Sequence, residues 1–173
     1  MNYPVPTETP RGNAKFLDNR RLNKFITEYQ QMLNVAMGYY GATGDQLLTT
    51  KNNTPYSIKS HLNHPCTIWV RNNRSNFLHA IRSTLEFYNE HIRRGGKGHE
   101  NVKSNIRKAI DFSKNFPPGK LTSFPNCTVA SKYGVDYRNV KDVHLAYKLY
   151  LNDRWDNDNV EPKWIYDDVV QKT

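Results

Sequence analysis

The stretch FLDNRRLNKFITEYQQML, residues 16–33, places charged side chains in one stripe along a predicted helix. Arg21, Lys24, Glu28 and Gln31 follow one another at steps of three and four residues, so they share a flank beside the apolar face. A carboxylate next to two cations stays ionised and can stabilise positive charge on a reacting sugar. The same spacing is typical of an ordinary Lys24–Glu28 ion pair on a solvated surface, and both interpretations stay open.

Basic side chains are interleaved with aromatic ones in the rest of the chain. Arg71 and Arg74 follow Trp69 closely, for example. Cations can contact phosphates, and planar rings can stack on unpaired bases. The 25 Lys and Arg residues exceed the 16 Asp and Glu residues and give a net charge of +9. This charge favours nucleic acid as the partner, although a merely soluble basic protein is the alternative.

The sequence gives no strong sign of a metal or a cofactor. His61, His64 and Cys66 in HLNHPC have a spacing that could hold a metal, but a structural zinc site usually needs four ligands and no second Cys/His pair fits. We therefore predict no metal and no cofactor. Cys66 and Cys127 are too few for a disulfide framework, and we interpret both as free thiols in a reducing compartment.

The composition indicates one soluble domain over residues 1–173. Hydrophobic residues make up 37% of the chain, and no apolar run approaches the roughly 18 residues that cross a bilayer. The start MNYPVPTETPRG has no apolar core typical of a signal peptide. We expect a cytoplasmic monomer without membrane contact.

The elements that must position these residues are helices. Apolar residues recur at helical spacing, and Gly- and Pro-rich segments separate the periodic stretches. Ile92 and Ile110 are expected to face inward. No segment has a convincing strand pattern. We predict an all-α fold, a compact bundle of about four helices with long irregular connections and a tail that packs back. The first predicted helix begins at Asp18, its N-cap, and ends near Gly38–Gly41. The second begins at Pro65, with Asn63 or His64 as its cap, and ends at RRGGKGH. The third spans about 100–114 and the last about 139–151, and an irregular tail, DRWDNDNVEPKWIYDD, follows.

Four blocks of the chain resemble one enzyme family. LDNRRLNKFITEYQQML is similar to the LDxxRLxKQRVExxQIL signature of the bacterial and phage branch of the pyrimidine-dimer DNA glycosylases. NHPCTIWVRN resembles the NHPAxxMW segment of that branch, and YNEHIRRGGK resembles its E-W-x-x-RG helix end. The portion FPNCT…DVHLAYKLYLNDRW…EPKWIY is similar to its AYRxYY…W…PxWY endings. The resemblance covers most of the chain.

The resemblance implies a chemistry and its residues. Endonuclease V-type members flip a base out of duplex DNA, attack the sugar C1′ with the N-terminal α-amine and form a Schiff base, and a glutamate on their first long helix is essential. Aligning LADQHLMAEYRE of that type with LDNRRLNKFITE needs no gap and places this glutamate at Glu28 and a DNA-contacting residue at Arg21. Those enzymes expose a small residue after methionine removal. Here Asn2 is larger, so either Met1 or Asn2 would carry the amine.

The resemblance thus predicts a DNA glycosylase, with abasic-site (AP) lyase activity as an option, that excises a damaged or modified pyrimidine from double-stranded DNA. Its location would be the host cytoplasm if a phage encodes it. One alternative is a transferase that modifies phage DNA bases in the same pocket, and another is a DNA-binding protein without catalysis. The predicted catalytic residues are Glu28, Met1 and Asn2, and the predicted DNA contacts are Arg20, Arg21, Lys24, Arg71, Asn72, Arg74, Arg93, Arg94 and Lys97.

Overall fold

A computed structural model of the chain describes residues 1–166 and is mainly helical, as the sequence predicts. Within these residues there are six α-helices and one two-stranded antiparallel sheet, where the sequence indicated about four helices and no strand. No helix in this range is long and apolar enough to span a bilayer. The elements are α1 (Pro10–Phe16), α2 (Asn19–Tyr39), α3 (Pro65–Asn72), α4 (Arg74–Arg93), α5 (Val102–Phe112), β1 (Val129–Ala130), β2 (Val135–Asp136) and α6 (Val143–Asp156).

Helix α2 lies at the centre of the molecule and packs against α3, α4 and α5. Its predicted apolar stripe is buried, with Leu22, Ile26 and Tyr29 fully enclosed. Asp18 occupies the N-cap position as predicted, but its carboxylate does not cap the helix. It accepts hydrogen bonds from Arg21 at 3.0 Å and from the Trp155 indole at 2.9 Å instead. The side chain therefore ties the start of α2 to α6.

The single helix predicted from Pro65 onward is two helices, α3 and α4, which meet at Asn73. His64 caps α3, since its ring nitrogen accepts from the Cys66 amide. Asn73 has extended backbone angles, and its side chain accepts from the Asn76 amide and so caps α4. The amide of Arg74 donates to the carbonyl of Pro117 at 2.8 Å. The chain turns here because Asn73 ends one helix and starts the next.

Two isoleucines expected to face inward are largely exposed. Ile92 is 44% exposed because the buried side of the last turn of α4 is formed by His91. Ile110 is 49% exposed because it lies at the edge of the stripe that Ile106 and Ala109 bury. Both predictions are wrong at the margin of an apolar face, where spacing alone does not decide burial.

The carboxyl-terminal tail packs onto the body, as predicted, through residue 166, but its first four residues, 153–156, are helical because α6 starts and ends later than the predicted 139–151. The amide of Asn19 donates to the backbone carbonyl of Lys163, and the amide of Tyr166 donates to the backbone carbonyl of Arg94. The indole of Trp164 donates to the carbonyl of Phe16 at 3.2 Å. The last two residues of the predicted tail, 167 and 168, lie outside the described residues. These contacts bring the end of α6 and the following loop close to the start of α2.

Candidate functional site

The first residues of the chain form an extended segment that is inserted into the core. Tyr3 and Val5 are fully buried, and the Tyr3 ring stacks on Tyr29 of α2 with centroids 4.5 Å apart. The Asn2 side chain accepts from the Tyr3 amide and from the Tyr147 hydroxyl, and it donates to the carbonyl of Cys127. This anchoring fixes where the chain start lies.

The chain start lies against Glu28. The α-amine of Met1 is 3.9 Å from one carboxylate oxygen, and the Asn2 amide donates to the other at 3.2 Å. Lys24, one turn earlier on α2, places its ammonium 3.3 Å from the same carboxylate. The Glu28 side chain is only 18% exposed, so the carboxylate lies under the chain start rather than in open solvent. A covered anion beside an amine and an ammonium is a site where charge can develop at low cost.

Met1, Asn2 and Lys24 line a cleft of about 800 Å³, and Glu28, which contacts all three of them, does not itself line it. Helix α6 and the loop before β1 supply further lining residues. Five cationic side chains and one carboxylate line this cleft: Arg20, Arg21, Lys24, Arg138 and Arg154, and Asp158. Apolar and neutral surface is supplied by Phe25, His64, Pro65, Pro125, Asn126, Cys127, Val129, Tyr150 and Leu151. The cleft is therefore lined by basic side chains together with apolar and neutral polar ones.

Asp158 neutralises part of this positive charge. Its carboxylate is 2.6 Å from the Arg21 guanidinium and 3.7 Å from that of Arg154. Arg21 also pairs with Asp18, and its side chain is only 10% exposed. Arg20 and Lys24, by contrast, are 65% and 63% exposed. Arg20 lies 3.9 Å from Asp158 and Lys24 lies 3.3 Å from Glu28, while Arg138, which is 57% exposed, pairs with Asp136. These three exposed cations can reach a bound polyanion, whereas Arg21 is held inside the wall by Asp18 and Asp158.

The remaining predicted DNA contacts lie away from the cleft. Arg71 donates to the carbonyl of Leu62 and stacks over the Tyr39 ring at 4.3 Å. Arg93 is exposed but paired with Glu90. The others are exposed residues at separate places: Asn72 and Arg74 at the junction of α3 with α4, and Lys97 beside a second pocket of about 410 Å³.

The expectation for Arg94 is wrong. This side chain is 1% exposed and cannot reach a phosphate. Its guanidinium pairs with Glu90 and donates to the Asn19 side chain and to backbone carbonyls near the end of α1, among them Leu17 at 2.6 Å. Arg94 is therefore a structural cation, since it satisfies carbonyls that the short helix α1 leaves without partners.

Sequence reasoning missed the α6 side of the cleft. Tyr147, Tyr150 and Arg154 share one face of α6 at steps of three and four residues, the same signal that identified the stripe on α2. Arg154 contributes a buried nitrogen, Nε, that has no hydrogen-bond partner. Arg138 and Asp158 lie in loops, where no periodic pattern marks them.

The His61, His64 and Cys66 cluster has no metal-site geometry. His64 uses Nδ1 to accept from the Cys66 amide, and the Cys66 sulfur faces Cys127 at 3.5 Å. In residues 1–166 no three His, Cys, Asp or Glu side chains come close enough together to hold a metal. The two cysteines are unbonded and meet in the wall of the cleft.

Family models, curated proteins and solved structures gave no match to this chain. The likeness of its four blocks to pyrimidine-dimer DNA glycosylases therefore stays a prediction. Any function for this chain has to be argued from the cleft itself.

Proposed function

We propose that this chain is a DNA glycosylase with lyase chemistry that removes a damaged or modified pyrimidine from duplex DNA. The observation that carries the proposal is the position of the α-amine of Met1, 3.9 Å from Glu28 at the edge of a basic cleft. An amine supplies a nucleophile for a sugar carbon, and an adjacent carboxylate supplies the charge that such a reaction needs. The sequence resemblance predicts the same pair of groups.

The cleft has suitable size and charge for an everted nucleotide. Its volume of about 800 Å³ lies within the roughly 300–1,000 Å³ typical of pockets for small organic groups. Arg20 and Lys24 would contact the phosphates beside that nucleotide from the rim. Extrusion of a base costs a few kcal/mol, and the cost is smallest for a damaged base because its pairing is already weak.

The proposed reaction begins at C1′ of the everted nucleotide. The amine lone pair forms a bond to C1′ as the glycosidic C1′–N bond breaks. The base leaves with the electron pair of the broken glycosidic bond and is protonated, and the attacking nitrogen loses a proton to solvent. The deoxyribose ring then opens, its ring oxygen takes up a proton, and the nitrogen and C1′ become an imine. Loss of a C2′ proton lets the 3′ phosphate leave, which cleaves the strand.

Glu28 has two tasks in this scheme. Its negative charge stabilises the oxocarbenium-like sugar as the base departs. It also lies 3.9 Å from the amine, a distance that one water can bridge, and that water passes the proton of the ammonium to solvent before attack, which leaves the carboxylate charged. Either chain start preserves this arrangement, because the nitrogen of Asn2 is itself 3.2 Å from Glu28. Removal of Met1 would transfer the role to Asn2.

The test is to incubate the purified protein with ultraviolet-irradiated and hypermodified duplexes and to measure released base, strand cleavage and borohydride-trapped adduct. We expect all three products from the wild-type protein and a loss of roughly 100-fold or more for E28Q, which keeps the shape of the side chain without its charge. The matched control is E86Q, a helical glutamate on α4 that lines a separate pocket beside α1, and it should retain activity. Absence of every product on all substrates, with DNA binding intact, would leave a non-catalytic DNA-binding protein.

A further inference from the structure

The two cysteines face each other across the cleft wall. Cys66, in the first turn of α3, donates its thiol to the Cys127 sulfur at 3.5 Å, although 61 residues separate them in the chain. A disulfide needs sulfurs about 2.05 Å apart, so the two sulfurs have to approach each other by roughly 1.5 Å more to bond. Elements distant in sequence have thus been brought to bonding range.

The pair is asymmetric in exposure. Cys66 is fully buried, whereas Cys127 is partly exposed and lines the cleft. The hydrogen bond from Cys66 lowers the pKa of Cys127, and the nearby α-amine and Arg138 act in the same direction. The same hydrogen bond, together with burial, raises the pKa of Cys66. Cys127 is therefore the accessible cysteine that attacks first, and the buried Cys66 is the resolving cysteine.

We propose that Cys66 and Cys127 form a thiol–disulfide exchange site, at which a small disulfide such as oxidised glutathione is reduced and the two cysteines become a disulfide in the cleft wall. The argument for this site does not rest on the proposed DNA chemistry.

The exchange proceeds in two displacements. The Cys127 thiolate attacks one sulfur of oxidised glutathione, a mixed disulfide forms, and the glutathione S–S bond breaks to release one glutathione, which takes up a proton. Cys66 then loses its proton to solvent and attacks the Cys127 sulfur, which releases the second glutathione. Two cysteine thiols are oxidised and one glutathione disulfide is reduced to two thiols.

A disulfide between Cys66 and Cys127 would restrict the movement of the first residues of the chain. The carbonyl of Cys127 accepts hydrogen bonds from the Asn2 side chain and from the Val129 amide. Linking Cys127 to α3 would therefore fix the part of the wall that holds Asn2, next to the amine of Met1.

The experiment treats the full chain with oxidised glutathione, blocks remaining thiols with an alkylating agent, and maps the peptides by mass spectrometry. We expect one peptide pair joined through Cys66 and Cys127, no alkylated cysteine, reversal by dithiothreitol, and a rise of roughly 5 °C or more in the melting temperature. Because the readout requires no DNA, its failure is distinct from a failure of the proposed glycosylase.

The two serine variants test the order of attack. C66S should stop at a stable glutathione adduct on Cys127, and C127S should leave Cys66 modified roughly tenfold more slowly or not at all. Independent glutathione adducts on both cysteines of the wild-type protein, or no reaction at Cys127, would overturn the proposal. If a variant does not fold, the wild-type peptide map decides alone.

Discussion

At the scale of single residues, buried polar contacts determine where the first residues of the chain lie. The Asn2 side chain is held by the Tyr3 amide and the Tyr147 hydroxyl. The Tyr3 hydroxyl lies 2.8 Å from Nδ1 of His79, beneath Phe124 and Trp69. These contacts place the α-amine beside Glu28, so a residue that never touches a ligand can still affect the site.

His79 should make the stability of the protein pH-dependent. Burial, reinforced by Arg82, lowers its pKa to about 4, whereas an imidazole in the unfolded chain has a pKa near 6.5. Because the unfolded state then binds a proton more readily, this contribution is complete above about pH 6.5 and is lost as the pH falls towards 4. Between about pH 7 and pH 4 we expect the free energy of unfolding of the wild-type protein to fall by roughly 1–2 kcal/mol more than that of H79Q. This figure is lower than the full pKa difference gives, because the His79 ring is partly exposed.

Urea unfolding of both proteins at the two pH values measures this difference. Glutamine can donate to or accept from the Tyr3 hydroxyl but does not titrate, so H79Q removes the proton linkage while keeping a polar partner for Tyr3. Equal pH dependence of the two free energies of unfolding would show that His79 does not carry the effect.

The residue contacts of Glu28 show what the sequence could predict. The ion pair with Lys24 follows from i, i+4 spacing on a helix. The contact with Met1 could not be derived in this way, because it depends on an extended segment whose burial only the tertiary structure reveals. The burial of Arg94 was missed for the same reason, since its carbonyl partners belong to a distant short helix.

At the scale of elements, Asn73 separates α3, which begins in the NHPC segment, from the long helix α4. Its side-chain oxygen caps α4 through Asn76, and its side-chain nitrogen donates to the carbonyl of Lys120 at 3.1 Å. One buried asparagine thus ends α3, starts α4 and holds the proline-rich connection.

Replacing this asparagine should destabilise the fold measurably. We expect N73A to lower the free energy of unfolding by roughly 1–2 kcal/mol, because it removes an N-cap and a hydrogen bond to the connection. N72A, at the exposed neighbouring position on α3, should change it by less than about 0.5 kcal/mol. Chemical denaturation of the three proteins gives the comparison, and equal losses in both variants would refute the assigned role.

The long helix α2 was predictable, while the short elements were not. A periodic apolar stripe over 21 residues gives a strong signal, and the observed bounds agree with the predicted ones. Helix α1 has 7 residues, and each strand has 2, too few to establish a period. The break at Asn73 was hidden because the apolar spacing continues on both sides of it.

At the scale of the whole molecule, only part of the net charge of +9 lies where a polyanion can reach it. Two arginines form buried contacts within the protein: Arg94 joins α1 to α4, and Arg21 joins α2 to Asp158. The exposed cations at the cleft are Arg20, Lys24 and Arg138. Net charge therefore overstates the surface available to a polyanion.

The salt dependence of duplex binding should identify the cations that meet phosphates. For R20Q/K24Q we expect weaker binding and a slope of log affinity against log salt reduced by about two, because each phosphate contact contributes about one. The matched control is K103Q/R107Q, an exposed pair of the same spacing on α5, which contributes no residue to the cleft. Titrations of a labelled duplex at several salt concentrations measure both slopes. Equal reductions would indicate non-specific attraction.

The most direct measurement is to locate the borohydride-trapped DNA on the protein by peptide mapping, after intact mass has shown which residue carries the α-amine. The account predicts one adduct, on the N-terminal peptide and on its α-amine, and none in E28Q. An adduct on a lysine such as Lys24, or trapping that is unchanged in E28Q, would contradict it.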